Sequence, residues 1–158
     1  TEALERYETA LAFYREIGAR LGEANTLIAI GDVLQFLKRS TEALERYETA
    51  LAFYREIGDR LGEANTLQAI GILQENLTLG LEYCEVALEL YTQIGDKYSQ
   101  SRNLIYFTSE ILLKLGRQKE AVDALNRAID LARKIPYEIF VEDAIAKLQE
   151  IQENHEFH

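Results

Sequence analysis

Large apolar residues recur at intervals of three and four along most of this chain. Between residues 21 and 37 the series runs through Ala24, Leu27, Ile30, Leu34 and Leu37. Residues at this spacing share one face of an α-helix. The pattern therefore predicts an amphipathic helix here, which we call helix A.

A second helical series follows the polar segment 38–40. Its apolar positions are Ala43, Leu44, Tyr47, Ala50, Leu51, Tyr54 and Ile57. Ser40 or Thr41 is expected to cap its start, and Gly58 suits the left-handed stop after it. This second helix, helix B, completes a helical hairpin with helix A.

The hairpin is repeated almost without change. Residues 1–31 align with residues 41–71, and only two of the thirty-one positions differ. Self-similarity at a fixed period of this size is typical of helical arrays, in which each hairpin buries its second apolar face on the next. We therefore expect a single stacked array.

The rest of the chain continues the pattern with one departure. Gly95 follows Gly58 by 37 residues instead of forty, and the three missing residues fall within 72–80, where we expect a tighter turn. The sequence predicts the following organisation of the array: 1–20 as a half-repeat with helix B alone, 21–58, 59–95 and 96–135 as three repeats, and 136–158 as a capping helix and tail.

The order of small and large residues resembles the tetratricopeptide repeat. The resemblance rests on Leu27, Ile30, Gly31 and Leu34 in helix A and on Ala43, Tyr47 and Ala50 in helix B. It covers nearly everything to Ile135, and the period of forty is similar to that of a forty-residue subclass of scaffold-type repeats. The resemblance implies an all-α, right-handed α-solenoid of stacked hairpins with about eight helices.

Net charge narrows the classes of partner. The formal charge is −10 with a pI near 4.7, which opposes nucleic acids and anionic membrane surfaces. A neutral or basic protein or peptide is the better partner. No apolar stretch is long enough to span a bilayer. The single cysteine, Cys84, favours a reducing compartment, and we expect a cytoplasmic protein.

Catalytic and metal chemistry finds little support in the sequence. Cys84 lies on an apolar stripe, where a thiol acts as a small hydrophobe. His155 and His158 lack the HExxH spacing of zinc proteases and have no third ligand nearby. We therefore predict no enzyme activity, no catalytic residue, no metal site and no cofactor.

The family resemblance implies a peptide-binding groove along the concave face, which the A helices line. The groove positions that carry over are Asn25, Ile28, Asp32, Gln35 and Phe36 in the first full repeat, Asn65, Gln68 and Ile72 in the second, and Arg102, Ile105, Ser109, Leu112 and Leu113 in the third. The family's clamp for a terminal carboxylate needs Asn and Lys. Asp32 and Ile72 stand where the clamp needs Asn, and Ile28 and Gln68 stand where it needs Lys. We therefore expect no such clamp.

A different function remains open beside the groove. Near-identical copies also suit a self-assembling, duplicated or engineered array with no native ligand. The first helix B has no helix A before it, which leaves an apolar side for dimerisation or exchange of hairpins. The residues expected on that side are Leu4, Tyr7, Leu11 and Tyr14.

Overall fold

The computed structural model describes the backbone of residues 1–156 and the side chains of residues 1–154. The side chains of His155 and His158 lie outside that part of the chain. The described residues contain eight helices and no strand, which confirms the predicted all-α fold. Their bounds are α1 Glu2–Glu16, α2 Arg20–Phe36, α3 Ser40–Ile57, α4 Arg60–Ile72, α5 Leu77–Gln93, α6 formed without a break by Lys97–Asn103, Leu104–Thr108 and Ser109–Lys114, α7 Gln118–Ala132 and α8 Glu138–Glu156.

The helices fall into two compact units. Unit 1 runs from Thr1 to Leu73 and holds α1–α4, and unit 2 begins at Gln74 and holds α5–α8. The missing residues shorten a helix rather than a turn, because α4 has 13 residues where α2 has 17. The expectation of a tighter turn is wrong. The side chain of Asn76 accepts hydrogen bonds from two backbone N–H groups and so sets the start of α5 at Leu77.

The ends of the hairpins follow the sequence only in part. Gly58 adopts the predicted left-handed conformation, with φ of 75°. Neither Ser40 nor Thr41 caps α3, which corrects our expectation. The residue before the helix is Arg39, and its guanidinium binds Glu42 of the first turn through two contacts of 2.6 Å. This ion pair joins side chains only, and no side-chain hydrogen bond caps the start of α3.

Tyrosine rings packed on glycines hold unit 1 together. A Cβ atom at Gly31 of α2 would stand 2.4 Å from Cε1 of Tyr47 on α3, whose side chain has no exposed surface. The same close approach joins Tyr14 to Gly22 and therefore α1 to α2. The absence of a side chain on these glycines lets the helices approach closely enough to bury the rings.

One extra residue distinguishes helix A of unit 2. Gly116 follows Gly95 by 21 residues, whereas Lys38 follows Gly18 by 20, and all four residues have positive φ. The extra residue is absorbed as a single π-helical turn, Leu104–Thr108. Across this turn the hydroxyl of Thr108 donates a 2.8 Å hydrogen bond to Oδ1 of Asn103. Asn103 in turn donates to the carbonyl of Cys84 at 3.2 Å, which anchors the turn to α5.

The last helix completes the core of unit 2. Phe140, Ala144 and Ile151 of α8 are buried in the same apolar cluster as α6 and α7. Polar contacts add to this packing, since Tyr106 of α6 donates a hydrogen bond to Asp143 and Lys147 pairs with Glu110. Helix α8 therefore covers an apolar face that α6 and α7 would otherwise expose.

Candidate functional site

The predicted groove residues of α2 form a mixed polar and apolar surface in unit 1. We call this surface, made by Asn25, Ile28, Asp32, Gln35 and Phe36, the α2 face. Asn25, Asp32 and Phe36 are exposed, whereas Ile28 and Gln35 are half-buried. All five are therefore on or near the surface of the unit.

Hydroxyl groups from α3 tie down the polar part of the α2 face. The hydroxyl of Tyr47 lies 2.7 Å from Oδ1 of Asp32 and 3.2 Å from Oε1 of Gln35. Tyr54 donates to Oδ1 of Asn25 at 2.6 Å. Sequence analysis assigned these tyrosines to the core and missed this second role, although a buried tyrosine hydroxyl needs an acceptor. The two hydroxyl donors therefore orient the acceptor side chains that a ligand would meet.

The two tyrosines act as stable donors. Burial raises the pKa of Tyr54 to about 12, with a smaller contribution from the charge of Asp59. Burial, together with the hydrogen bond to Asp32, also raises the pKa of Tyr47 well above its ordinary value. Both hydroxyls therefore keep their protons at neutral pH, and the carbonyl oxygen of Asn25 stays occupied. Its NH2 group is the part that can donate to a ligand.

Phe36 is the most exposed large apolar side chain in the described part of the chain. It is 85% exposed, compared with 56% for Phe13 on α1. On α4, Ile72 is 40% exposed and Asn65 is exposed too. Gln68 is only 5% exposed, so its predicted place on an open groove is wrong. Its side chain belongs to the buried side of α4.

The π-turn changes which residues of unit 2 reach the surface. Arg102, before the turn, is exposed and its guanidinium carbon lies 5.2 Å from the ring centre of Phe107. Ile105 and Ser109 have no exposed surface and Leu112 is 4% exposed, so these three predicted groove residues are core residues instead. One extra residue turns the following side chains by about 100° around the helix.

Lys38 and Gly116, the residues with positive φ after α2 and α6, give the correct alignment of the two helices. Asp32, Gln35 and Phe36 precede Lys38 by six, three and two residues. The residues at the same distances from Gly116 are Glu110, Leu113 and Lys114, none of which is buried. These are the counterparts in α6 of the three predicted groove positions. Simple alignment of the repeats gave Leu113 but missed Glu110 and Lys114.

The face predicted for self-association is only partly open. Leu11 has no exposed surface, and Tyr14 is half-buried where its ring packs on Gly22. Both side chains are used within unit 1, so their assignment to an uncovered face is wrong. Leu4 is half-buried, and Tyr7 is 39% exposed.

Known protein families match most of this chain. Profiles described as "Tetratricopeptide repeat" match residues 1–56 and 22–75, and another match covers residues 103–135. The chain belongs to the tetratricopeptide repeat family. Proteins of this family are typically non-enzymatic scaffolds for protein–protein interaction, and that is the functional class the matches support. Among curated protein sequences none matches this chain.

Two solved structures share the fold of these tetratricopeptide repeats. BtubC (BKLC) from P. vanneervenii is 18% identical with a TM-score of 0.74, over 83% of this chain and 56% of that one. The apo form of RapI is 14% identical with a TM-score of 0.75, over 93% of this chain and 61% of that one. The chain thus spans less than two thirds of either protein, and the likeness concerns the fold alone.

Two observations on the described residues concern catalytic and metal-binding groups. Cys84 is fully buried, and burial raises the pKa of its thiol to about 12, which suppresses the reactive thiolate. Among the described residues there is no group of three or more His, Cys, Asp or Glu side chains placed to hold a metal ion. Within the same residues, every helix is too short or too polar to cross a membrane.

Proposed function

We propose that this chain holds a segment of a partner protein against the α2 face of unit 1, with Phe36 as the central contact. The observation that carries the proposal is the 85% exposure of Phe36 beside polar groups that are already oriented. Full burial of a phenylalanine side chain gives roughly 1.5–3 kcal/mol. Aromatic residues, phenylalanine among them, are enriched in protein interfaces relative to the rest of the surface.

The surroundings of Phe36 suit a peptide backbone. Asn25 offers N–H donors, because its carbonyl oxygen is held by Tyr54, while Asp32 offers a carboxylate. Ile28 adds apolar surface between them. A partner segment that is neutral or basic fits Asp32 and the chain's net charge of −10. The absence of Lys from the α2 face also disfavours a terminal carboxylate as the ligand.

A photo-reactive phenylalanine analogue at position 36 tests this proposal in a lysate of the source organism. Position 13 is the matched control, since Phe13 is also an exposed phenylalanine but lies on α1. We expect a defined cross-linked partner from position 36 that position 13 does not give. The substitution Phe36→Ala should release that partner, and Phe13→Ala should retain it. Equal retention by both variants contradicts the proposal.

Self-association is a second candidate that one observation favours. Residues 1–17 repeat residues 41–57 without a difference, yet Tyr7 is 39% exposed and Tyr47 has no exposed surface. We propose that a second copy covers Tyr7. Sedimentation equilibrium should then show a dimer that Tyr7→Glu abolishes and Thr9→Glu, on the same helix, preserves. A monomer at high concentration excludes this candidate.

A further inference from the structure

A groove with a volume of about 580 Å³ lies between α5 and α7 in unit 2, with α6 as its floor. We call it the α5–α7 groove. Leu104, Thr108 and Leu112 of α6 line the floor, and each of them is almost fully buried, with 2–4% of its surface exposed. Leu88 of α5 and Ala124 of α7 extend the apolar surface up the walls. The groove is large enough for one or two side chains of a partner.

The rims of the α5–α7 groove carry an excess of negative charge. Glu85 and Glu89 stand one helical turn apart on α5, and Asp123 faces the groove from α7. Arg127 supplies one positive charge to the lining. A further lining residue, Glu120, accepts two hydrogen bonds from Arg117 at 2.7 and 2.6 Å. The same guanidinium also interacts electrostatically with Glu85, so an incoming cation would share Glu85 with Arg117. The balance of charge therefore favours a cation in the groove.

The corresponding place in unit 1 shows which cation fits. Glu8 precedes Gly18 by ten residues, just as Glu85 precedes Gly95. In unit 1, Arg46 of α3 crosses to α1 and binds Glu8 at 3.1 Å. Arg46 follows Lys38 by eight residues, and the residue that follows Gly116 by eight is Ala124. Unit 2 thus keeps the glutamate but has an alanine in place of the arginine.

We propose that the α5–α7 groove binds an arginine of a partner protein, which pairs with Glu85 as Arg46 pairs with Glu8, and an adjacent leucine-sized side chain on the apolar floor. This site is separate from the α2 face, since it lies in unit 2. Its partner is defined by chemistry: a segment in which arginine and leucine are neighbours.

The π-turn contributes to the space available. Thr108 precedes Gly116 by eight residues, and the residue at that distance from Lys38 in unit 1 is Ile30. The smaller threonine, with its hydroxyl held by Asn103, replaces an isoleucine at the floor. Together with Ala124 in place of Arg46, this substitution leaves room for a side chain from outside. π-turns of this kind often occur at functional sites.

A short peptide tests the proposal directly. The probe is an acetylated and amidated tetrapeptide of leucine, arginine, arginine and leucine, titrated into the full chain while amide chemical shifts are followed by NMR. The control peptide carries citrulline in place of each arginine, which keeps the shape and removes the charge. We expect shifts concentrated on α5, α6 and α7, and about tenfold weaker binding of the citrulline peptide.

Three variants distinguish the groove from general attraction to an acidic chain. Ala124→Arg supplies the missing arginine in cis and should abolish binding, and Glu85→Gln, at an exposed position, should weaken it about twofold to fivefold. Glu16→Gln changes the net charge by the same amount as Glu85→Gln, but at an exposed residue of α1, and should leave binding unchanged. Equal weakening by Glu16→Gln and Glu85→Gln, unaltered binding by Ala124→Arg, or no shift with the native chain overturns the proposal.

Discussion

The ring of Tyr47 lies over Gly31, so close that a Cβ atom at Gly31 would stand 2.4 Å from the nearest ring carbon. This contact joins helix A to helix B in unit 1. It leaves the tyrosine hydroxyl at the α2 face, where it donates a 2.7 Å hydrogen bond to Oδ1 of Asp32. One residue pair therefore supports both the core and the candidate binding surface.

Gly31→Ala should destabilise unit 1. The added methyl group collides with the Tyr47 ring, which has no exposed surface. Overpacking of this kind costs about 1–3 kcal/mol, whereas the better helix propensity of alanine gains about 1 kcal/mol. Gly22→Ala is the matched control, because the half-buried ring of Tyr14 can move aside. Denaturant unfolding should show a clear loss for Gly31→Ala and little change for Gly22→Ala. Equal losses would mean that burial of the ring does not matter.

Tyr47→Phe should lower the free energy of unfolding by about 0.5–1.5 kcal/mol, because it removes the hydrogen bond to Asp32. Tyr7→Phe changes the same position of the repeat at a partly exposed ring and should have no measurable effect. The two variants are compared by chemical denaturation at neutral pH. A similar effect of both would contradict a specific role for the Tyr47 hydroxyl.

Stability should fall in alkaline solution. Burial raises the pKa of Tyr54 to about 12 and raises that of Tyr47 as well, whereas a tyrosine in the unfolded chain has a pKa of about 10. A group with a raised folded-state pKa contributes stability that is complete below the unfolded value and is lost as pH rises through the folded value. The free energy of unfolding should therefore decline between about pH 10 and pH 12. Ionisation of these tyrosines near pH 10 without unfolding would contradict this.

Thr108→Val should destabilise unit 2 at the π-turn. The substitution removes the hydrogen bond that Thr108 donates to Oδ1 of Asn103, whose side chain is fully buried, and loss of such a bond costs about 0.5–1.5 kcal/mol. Thr49→Val is the control, since Thr49 is exposed and its hydroxyl bonds only to the backbone of its own helix. Melting temperatures measured by circular dichroism should fall for Thr108→Val alone. An unchanged value for that variant would show that the turn does not depend on this bond.

The sequence by itself determined the hairpin repeat. Apolar spacing of three and four residues, with a left-handed glycine such as Gly58 after helix B, is a local signal, and the structure confirms helices at those positions. The repeat pattern also contained Gly31 and Tyr47 at their family positions, although the contact between them was shown only by the structure. Local spacing was enough for the helices.

Register and exposure were decided by the tertiary structure. The extra residue of α6 does not alter the spacing of apolar residues enough to be detected. The π-turn that absorbs it nevertheless buries Ser109 and Leu112, which the sequence analysis had predicted on the surface. The identical segments 1–17 and 41–57 make the point most directly. Tyr47 is buried because α2 covers it, and Tyr7 is 39% exposed. Burial depends on which helix lies opposite, and identical residues cannot encode that difference.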